Sequence, residues 1–358
     1  MRSIIALSTL SLAAISFAAP AGKRDAYPNG EFFPLPNGFP NPSTDQTKQI
    51  ELEAFGTLPN SPPPPKISTD GLTNLKLIAL NELFEVAYFT ELVYNVTNKL
   101  HGYDLGYGHE FVLDSLKAIV AQEELHAINT NGALQNFKAE PIQPCKYSFP
   151  VTDFQSAIAL AATFTDVVLG TLQDVNQVFA KNGDDGLVRA VSSVIGNEGE
   201  QEGFYHVLQS KRPSTLPFLT TSVRDFAFTA IQSFTIPGSC PNINTIPLKT
   251  FKPLNVLSTN IKAETQNLQF SFAASDAGTQ DWNSLSLVYI NQQNTPVVKS
   301  LQNPVVANGV VTFQAAFPFD EFEMNGLTIA AVTRGPGPFA SADDVAQAAI
   351  FGPGLIEI

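Results

Sequence analysis

Ala121-Gln122-Glu123-Glu124-Leu125-His126 is the stretch on which the reading of the fold turns. Glu123 and His126 are three residues apart, so a helix puts them on one face. Val112, Leu116 and Ile119 precede them on that face, and Leu134 and Phe137 follow. A carboxylate and an imidazole aimed at the apolar interior of a helix bundle have the spacing of a carboxylate-bridged metal site. The same pair on a solvated helix face is the plain alternative. The decision therefore rests on whether other helices supply partners.

Four further helical periods surround this stretch. Helix A is expected over about 72–100, after the N-cap cluster Ser68-Thr69-Asp70, with Glu82 in the middle of its apolar stripe and Glu85 at the edge. Helix B, about 110–137, carries Glu123 and His126. Residues 138–150 then form a connection holding Pro141, Pro144 and Cys145. Extended, it reaches about 45 Å, enough to cross a helix of about 40 Å and leave helices B and C parallel. Helix C is expected over about 152–181, with Thr165 facing inward, and helix D over about 187–210, with Glu198 and Gln201 inward. A short fifth helix covers about 221–234. Three helices thus place a Glu in one interior, and buried carboxylates clustered this way need a positive partner or protonation.

The N-terminus reads as a leader. Met1-Arg2 is basic, Ile4 to Phe17 is apolar, and Lys23-Arg24 is a dibasic processing signal, so residues 1–24 are assigned to a signal peptide and propeptide. Residues 25–67 are a Pro-rich extension, packed on the domain through its phenylalanines or acting as a linker. Residues 68–240 form the bundle. After Pro241 the period changes to two, with strands expected at 268–272, 285–290, 297–300, 310–317, 327–332 and 355–358, and residues 241–358 read as a β-sandwich. Its aromatics, Phe272, Trp282, Tyr289, Phe313 and Phe317, are strand core or, alternatively, a sugar-binding face.

Composition narrows the classes. Charged residues are 15% and apolar residues 44%, as in a globular chain. A net charge of -13 argues against nucleic-acid partners. The apolar run 157–172 is broken by Thr163, Thr165 and Asp166, so no membrane span is expected, and Leu355-Ile356-Glu357-Ile358 lacks the hydrophobic tail of a lipid anchor. Cys145 and Cys240 are the two cysteines. In an oxidising compartment they read as one disulfide closing a loop of about 95 residues, worth roughly 4–5 kcal/mol. Asn95-Val96-Thr97 is a glycosylation sequon. Glu202 and His206, four apart on helix D, read as a solvated face or, alternatively, as a local pair or a relay outside the metal ligands, and His101 and His109 as surface residues flanking a turn.

The order Glu82, Glu123-x-x-His126, Glu198-x-x-Gln201, with Leu80-Asn81-Glu82-Leu83-Phe84 on the first helix, resembles the ferritin-like superfamily. Together with the leader, Pro237-Gly238-Ser239-Cys240-Pro241 and the ending Phe351-Gly352-Pro353-Gly354-Leu355-Ile356-Glu357, the chain looks like the fungal secreted ferritin-like proteins of stress response and late sexual development. The resemblance implies a four-helix bundle with one long crossover. A complete di-metal site there has four carboxylates and two histidines. Here Thr165 stands at the helix C Glu position and Gln201 at the second His, and both losses fall on the same metal. The set left is Glu82, Glu123, His126 and Glu198, ligands for one Fe or Mn ion or, as the alternative, a remnant holding none. The implied role is extracellular or in the cell wall, structural before enzymatic. The alternatives are a mononuclear Mn/Fe oxidoreductase acting on peroxide or iron, and a cell-wall carbohydrate binder working through the β domain.

Overall fold

The computed structural model describes residues 27–214 and 216–358. The leader assigned to residues 1–24 lies outside the described residues. Two compact units emerge among the described residues: a helical one of 27–214 with 221–250, and a β unit of 216–220 with 251–358.

The helical unit contains α1 (Thr44–Glu53), α2 (Thr69–Thr97), α3 (His109–Asn136), α4 (Phe154–Asn182), α5 (Val188–Leu208) and α6 (Arg224–Gln232). The last five match the five expected helices to within a few residues. Helix α1 was not expected. Ser43 caps it: its Oγ accepts from Gln46 N–H and Gln46 Oε1 accepts from Ser43 N–H, a reciprocal capping box. Helix α4 is long and apolar enough to cross a membrane, but 89% of its most apolar window is buried in the protein. Its apolar residues are therefore core.

Specific bonds hold the helices that carry the site in register. Tyr88 Oη on α2 donates to Ala157 O on α4 at 2.6 Å. Asn74 Nδ2 donates to Val175 O at 3.1 Å, and Arg224 Nη1 donates to Asn74 Oδ1 at 2.9 Å. Ser68 caps α2, and both its N–H and its hydroxyl donate to Asp184, in the α4–α5 turn. Gly71 is required there, because a Cβ would sit 2.4 Å from Asp184 Oδ2. Residues 137–153 connect α3 to α4 without helix; within them Tyr147 bridges Thr235. Cys145 and Cys240 form the disulfide that ties this connection to the segment after α6.

The Pro-rich extension is ordered where it meets the bundle. Phe32, Leu35 and Phe39 are buried, and Ile50 and Ala54 of α1 pack on Ala121 and Leu125 of α3. It is a built part of the helical unit rather than a linker.

The β unit holds two antiparallel four-stranded sheets. One has the order β1-β2-β6-β5: β1 (Asn255–Val256), β2 (Gln266–Ala273), β6 (Val310–Phe317) and β5 (Gln302–Ala307). The other has the order β4-β3-β7-β8: β4 (Val297–Ser300), β3 (Leu285–Asn291), β7 (Leu327–Arg334) and β8 (Ala349–Glu357). Two short helices, α7 (Phe319–Phe322) and α8 (Ala342–Ala348), interrupt the strand run. Thr220 belongs to this unit: its Oγ1 donates to Leu327 O at 2.6 Å and accepts from Gln292 N–H at 2.8 Å. The architecture is α then β, as expected.

The core lies between the sheets. Phe272 stacks on Phe351 at 4.3 Å, and Tyr289 meets Phe317 edge-on at 5.4 Å. Phe272, Tyr289, Phe313 and Phe317 are buried, and Trp282 packs half-buried against them. The residues named for a sugar-binding face are therefore core. They offer no exposed platform.

Candidate metal centre

Glu82 from α2, Glu123 and His126 from α3, and Glu198 from α5 converge. One ligand atom from each lies within 4.8 Å of all the others. The convergence follows from sequence position. Each residue is mid-helix on an apolar stripe, and pairing of the stripes brings the four to one depth. The three carboxylates are at most 1% exposed, and the His126 side chain, at 16%, is the ligand with a solvent-facing edge.

The internal geometry is asymmetric. His126 Nδ1 lies 2.9 Å from Glu123 Oε2 and 3.5 Å from Glu82 Oε2. Gln201 Nε2 donates to Glu123 Oε1 at 2.6 Å. Glu123 is thus held from both sides. Glu198 meets no hydrogen-bond donor among the described residues, and neither oxygen of Glu82 has one of good geometry. Buried carboxylate oxygens without donors are costly. A cation is the chemical group that would satisfy all of them together.

The proton affinities carry the same message. Burial pushes the Glu82 carboxyl up to about 7, against some help from His126. Burial and the surrounding carboxylates push Glu85 and Glu198 well above the usual range. Burial acts to raise Glu123 too, but the His126 ring and the Gln201 amide outweigh it and hold that carboxyl low. Burial would depress His126, yet Glu123 and Glu82 lift it well above its ordinary value. Without a metal the group is an imidazolium–carboxylate pair beside carboxyls pushed toward protonation. Three carboxylates and one imidazole suit Mn or Fe better than thiolate-seeking ions.

Of the two positions at which the sequence departs from a di-metal set, Gln201 touches this cluster and Thr165 is buried on α4. Thr165 on α4 is 1% exposed and brings no carboxylate. Gln201 turns its amide NH2 to Glu123, and its Oε1 accepts from Tyr205 Oη at 3.4 Å. Its oxygen is therefore engaged away from the cluster.

Four expectations are corrected here. Glu202 and His206 are not on a solvated face: both are buried on α5, with His206 Nε2 2.7 Å from Glu202 Oε1. His109 is buried, while His101 is exposed as expected. Asn95 is 1% exposed on the packed face of α2, so the folded domain does not present its sequon. Glu85, read as an edge residue, is fully interior. Its signal was the spacing Glu82-x-x-Glu85, which repeats the same face one turn on.

No curated protein matches the chain. Residues 75–211 match the family model of the ferritin-like domain, and the segment that supplies Glu82, Glu123, His126 and Glu198 is therefore a ferritin-like domain.

Proposed function

We propose that the ferritin-like domain binds one Fe or Mn ion through Glu82, Glu123, His126 and Glu198. The observation that carries this reading is the convergence of four donor atoms within 4.8 Å in an interior that gives Glu82 and Glu198 no other donor of good geometry. Bound there, such an ion would supply one-electron chemistry toward a small oxidant such as peroxide.

The chain's own residues define what that site can do. Gln201 fixes the orientation of Glu123 through its 2.6 Å bond. His126 must give up its Nδ1 proton to ligate, so uptake of the ion releases protons. The cavity beside Glu82 is about 10 Å³, room for about one water. On that side the site excludes organic substrates, which favours a structural or small-molecule role.

The biological setting follows from the resemblance. The leader pattern of residues 1–24, the Cys145–Cys240 disulfide and the β unit support a secreted extracellular or cell-wall protein of fungal stress response or late sexual development.

Elemental analysis of the purified protein after Fe or Mn supplementation tests the metal. One equivalent in the wild type and none in Glu123→Ala is expected. Equal content in the two would mean that any metal is held by other residues, no metal in either would leave a metal-free structural domain, and two ions per chain would overturn the single site. Expression with the native leader tests export: protein in the medium should begin at Asp25.

A further inference from the structure

A second site lies on the other side of α3 and owes nothing to the metal ligands. Between the N-terminal arm, α2 and α3 there is a cleft of about 380 Å³. That volume is within the range of roughly 300–1,000 Å³ that holds small molecules. Its walls are largely apolar, with Leu35, Val93, Val120 and the rings of Tyr27 and Tyr94. The two rings meet edge-on at 5.7 Å.

The polar groups that line the cleft include Asn37, Glu53, Thr90, Lys117 and Glu124. Glu124 lines it and is 1% exposed. Asn37 Nδ2 donates to both of its oxygens, at 2.9 and 2.8 Å. The amide cannot turn over, because Asn37 Oδ1 accepts Phe39 N–H at 3.1 Å. Each carboxylate oxygen keeps a lone pair for a further donor. Thr90 also lines the cleft, and its buried hydroxyl has no hydrogen-bond partner among the described residues. Glu53, at the exposed end of α1, adds a second carboxylate and is held by Gln49 Nε2 at 2.7 Å. Lys117 is the cation of the lining, and its ammonium faces Asp114 at 3.4 Å on the exposed helix surface.

We infer that this cleft binds a small organic amine, with the ammonium on Glu124 and Thr90 and the carbon chain along Val93, Val120 and the tyrosine rings. A carboxylate or phosphate ligand would find, in this lining, only the Lys117 ammonium, which already faces Asp114. A neutral alcohol would satisfy Thr90 but gain no charge-assisted bond. An ammonium brings several donors to two acceptors already in place on Glu124 and Thr90. The arm completes the cleft by supplying Asn37 and Leu35, so the site exists only when residues 27–54 are docked.

Calorimetric titration of the full mature chain with hexylammonium, hexanol and hexanoate tests this. Hexylammonium should bind about tenfold tighter than hexanol, the value of one hydrogen bond to a charged group, and hexanoate should not bind. Glu124→Gln should lose that tenfold for the amine and leave hexanol unchanged. Val93→Trp, at a half-buried wall position, should abolish binding of both. Should Glu124→Gln fail to fold, Glu53→Gln on the exposed rim should weaken the amine alone, by about threefold. Hexanoate binding as tightly as the amine, or amine binding that survives Val93→Trp, would overturn the proposal. Fe or Mn content should be unchanged in Val93→Trp, so this site and the metal centre stand or fall separately.

Discussion

Gln201 Nε2 lies 2.6 Å from Glu123 Oε1, and this one bond occupies the oxygen that faces away from His126. An amide donor here does part of what a second cation would do. It compensates a buried carboxylate without adding charge. With His126, the bond gives a physical account of why the Glu123 carboxyl is held low despite its burial.

Removing that bond should be costly. Gln201→Ala leaves a buried carboxylate oxygen short of a donor and should lower stability by roughly 1–3 kcal/mol, read by urea denaturation of the metal-free protein. The double variant Thr165→Glu, Gln201→His should raise Mn stoichiometry from one to two. A stoichiometry that stays at one would place the second-metal positions elsewhere.

The metal-free protein should be more stable in mild acid than in mild base. Burial holds Glu82 up at about 7 and Glu85 and Glu198 well above 4.5. Folded, these groups keep protons that the unfolded chain has lost, so stability falls as pH rises from 4.5 through the raised values. His126 is pulled down by burial but lifted further by Glu123 and Glu82; its contribution is full below 6.5 and lost as pH climbs through its raised value. Glu123, held low, acts only in the acid region below 4.5. The melting temperature without metal should therefore drop between about pH 5 and about pH 8. Mn added at the higher pH should restore it.

The disulfide closes a loop with a sequence separation of 95. Cys145→Ser should cost about 4–5 kcal/mol under oxidising conditions, by the loop-entropy account. A reductant should bring the wild type down to the variant. Scanning calorimetry with and without reductant reads the difference.

Asn95 should carry no glycan. A sugar on a side chain buried against the bundle would prevent α2 from packing, so correctly folded protein from a eukaryotic host should show an unmodified peptide over residues 95–97 by mass spectrometry.

Much of this was legible from residue order. The helix stripes of Glu82, Glu123, His126 and Glu198 lead to one interior, where the four side chains converge, because a bundle turns a period of 3.6 directly into a shared interior. The losses came where local rules compete. Helix α1 was hidden in a Pro-rich extension, although Ser43-x-x-Gln46 announced its cap. Strand β5 contains Pro304, which a central strand excludes and an edge strand tolerates; β5 is an edge of its sheet, with a register shift between Gln302 and Val305. Strand β8 begins at Ala349 rather than 355 because it runs through Gly352-Pro353-Gly354 on the other sheet's edge, with the pairing shifted between Ala330 and Val332. Glu202, His206 and His109 were misplaced because polarity predicts exposure, and their burial depends on neighbours that no local pattern names.

The docked arm has a practical meaning for how this protein can be divided. The family match begins at residue 75, yet Phe32, Leu35, Phe39 and Ile50 are buried, and Ile50 packs on Ala121 and Leu125 of α3. A fragment cut at residue 68 would bare the surface around Ala121 and Leu125 of α3. It would be expected to aggregate. The helical unit that contains the ferritin-like domain therefore has its physical boundary no later than Tyr27. Processing at Lys23-Arg24 would leave that boundary intact, and a protease acting between α1 and α2 would not.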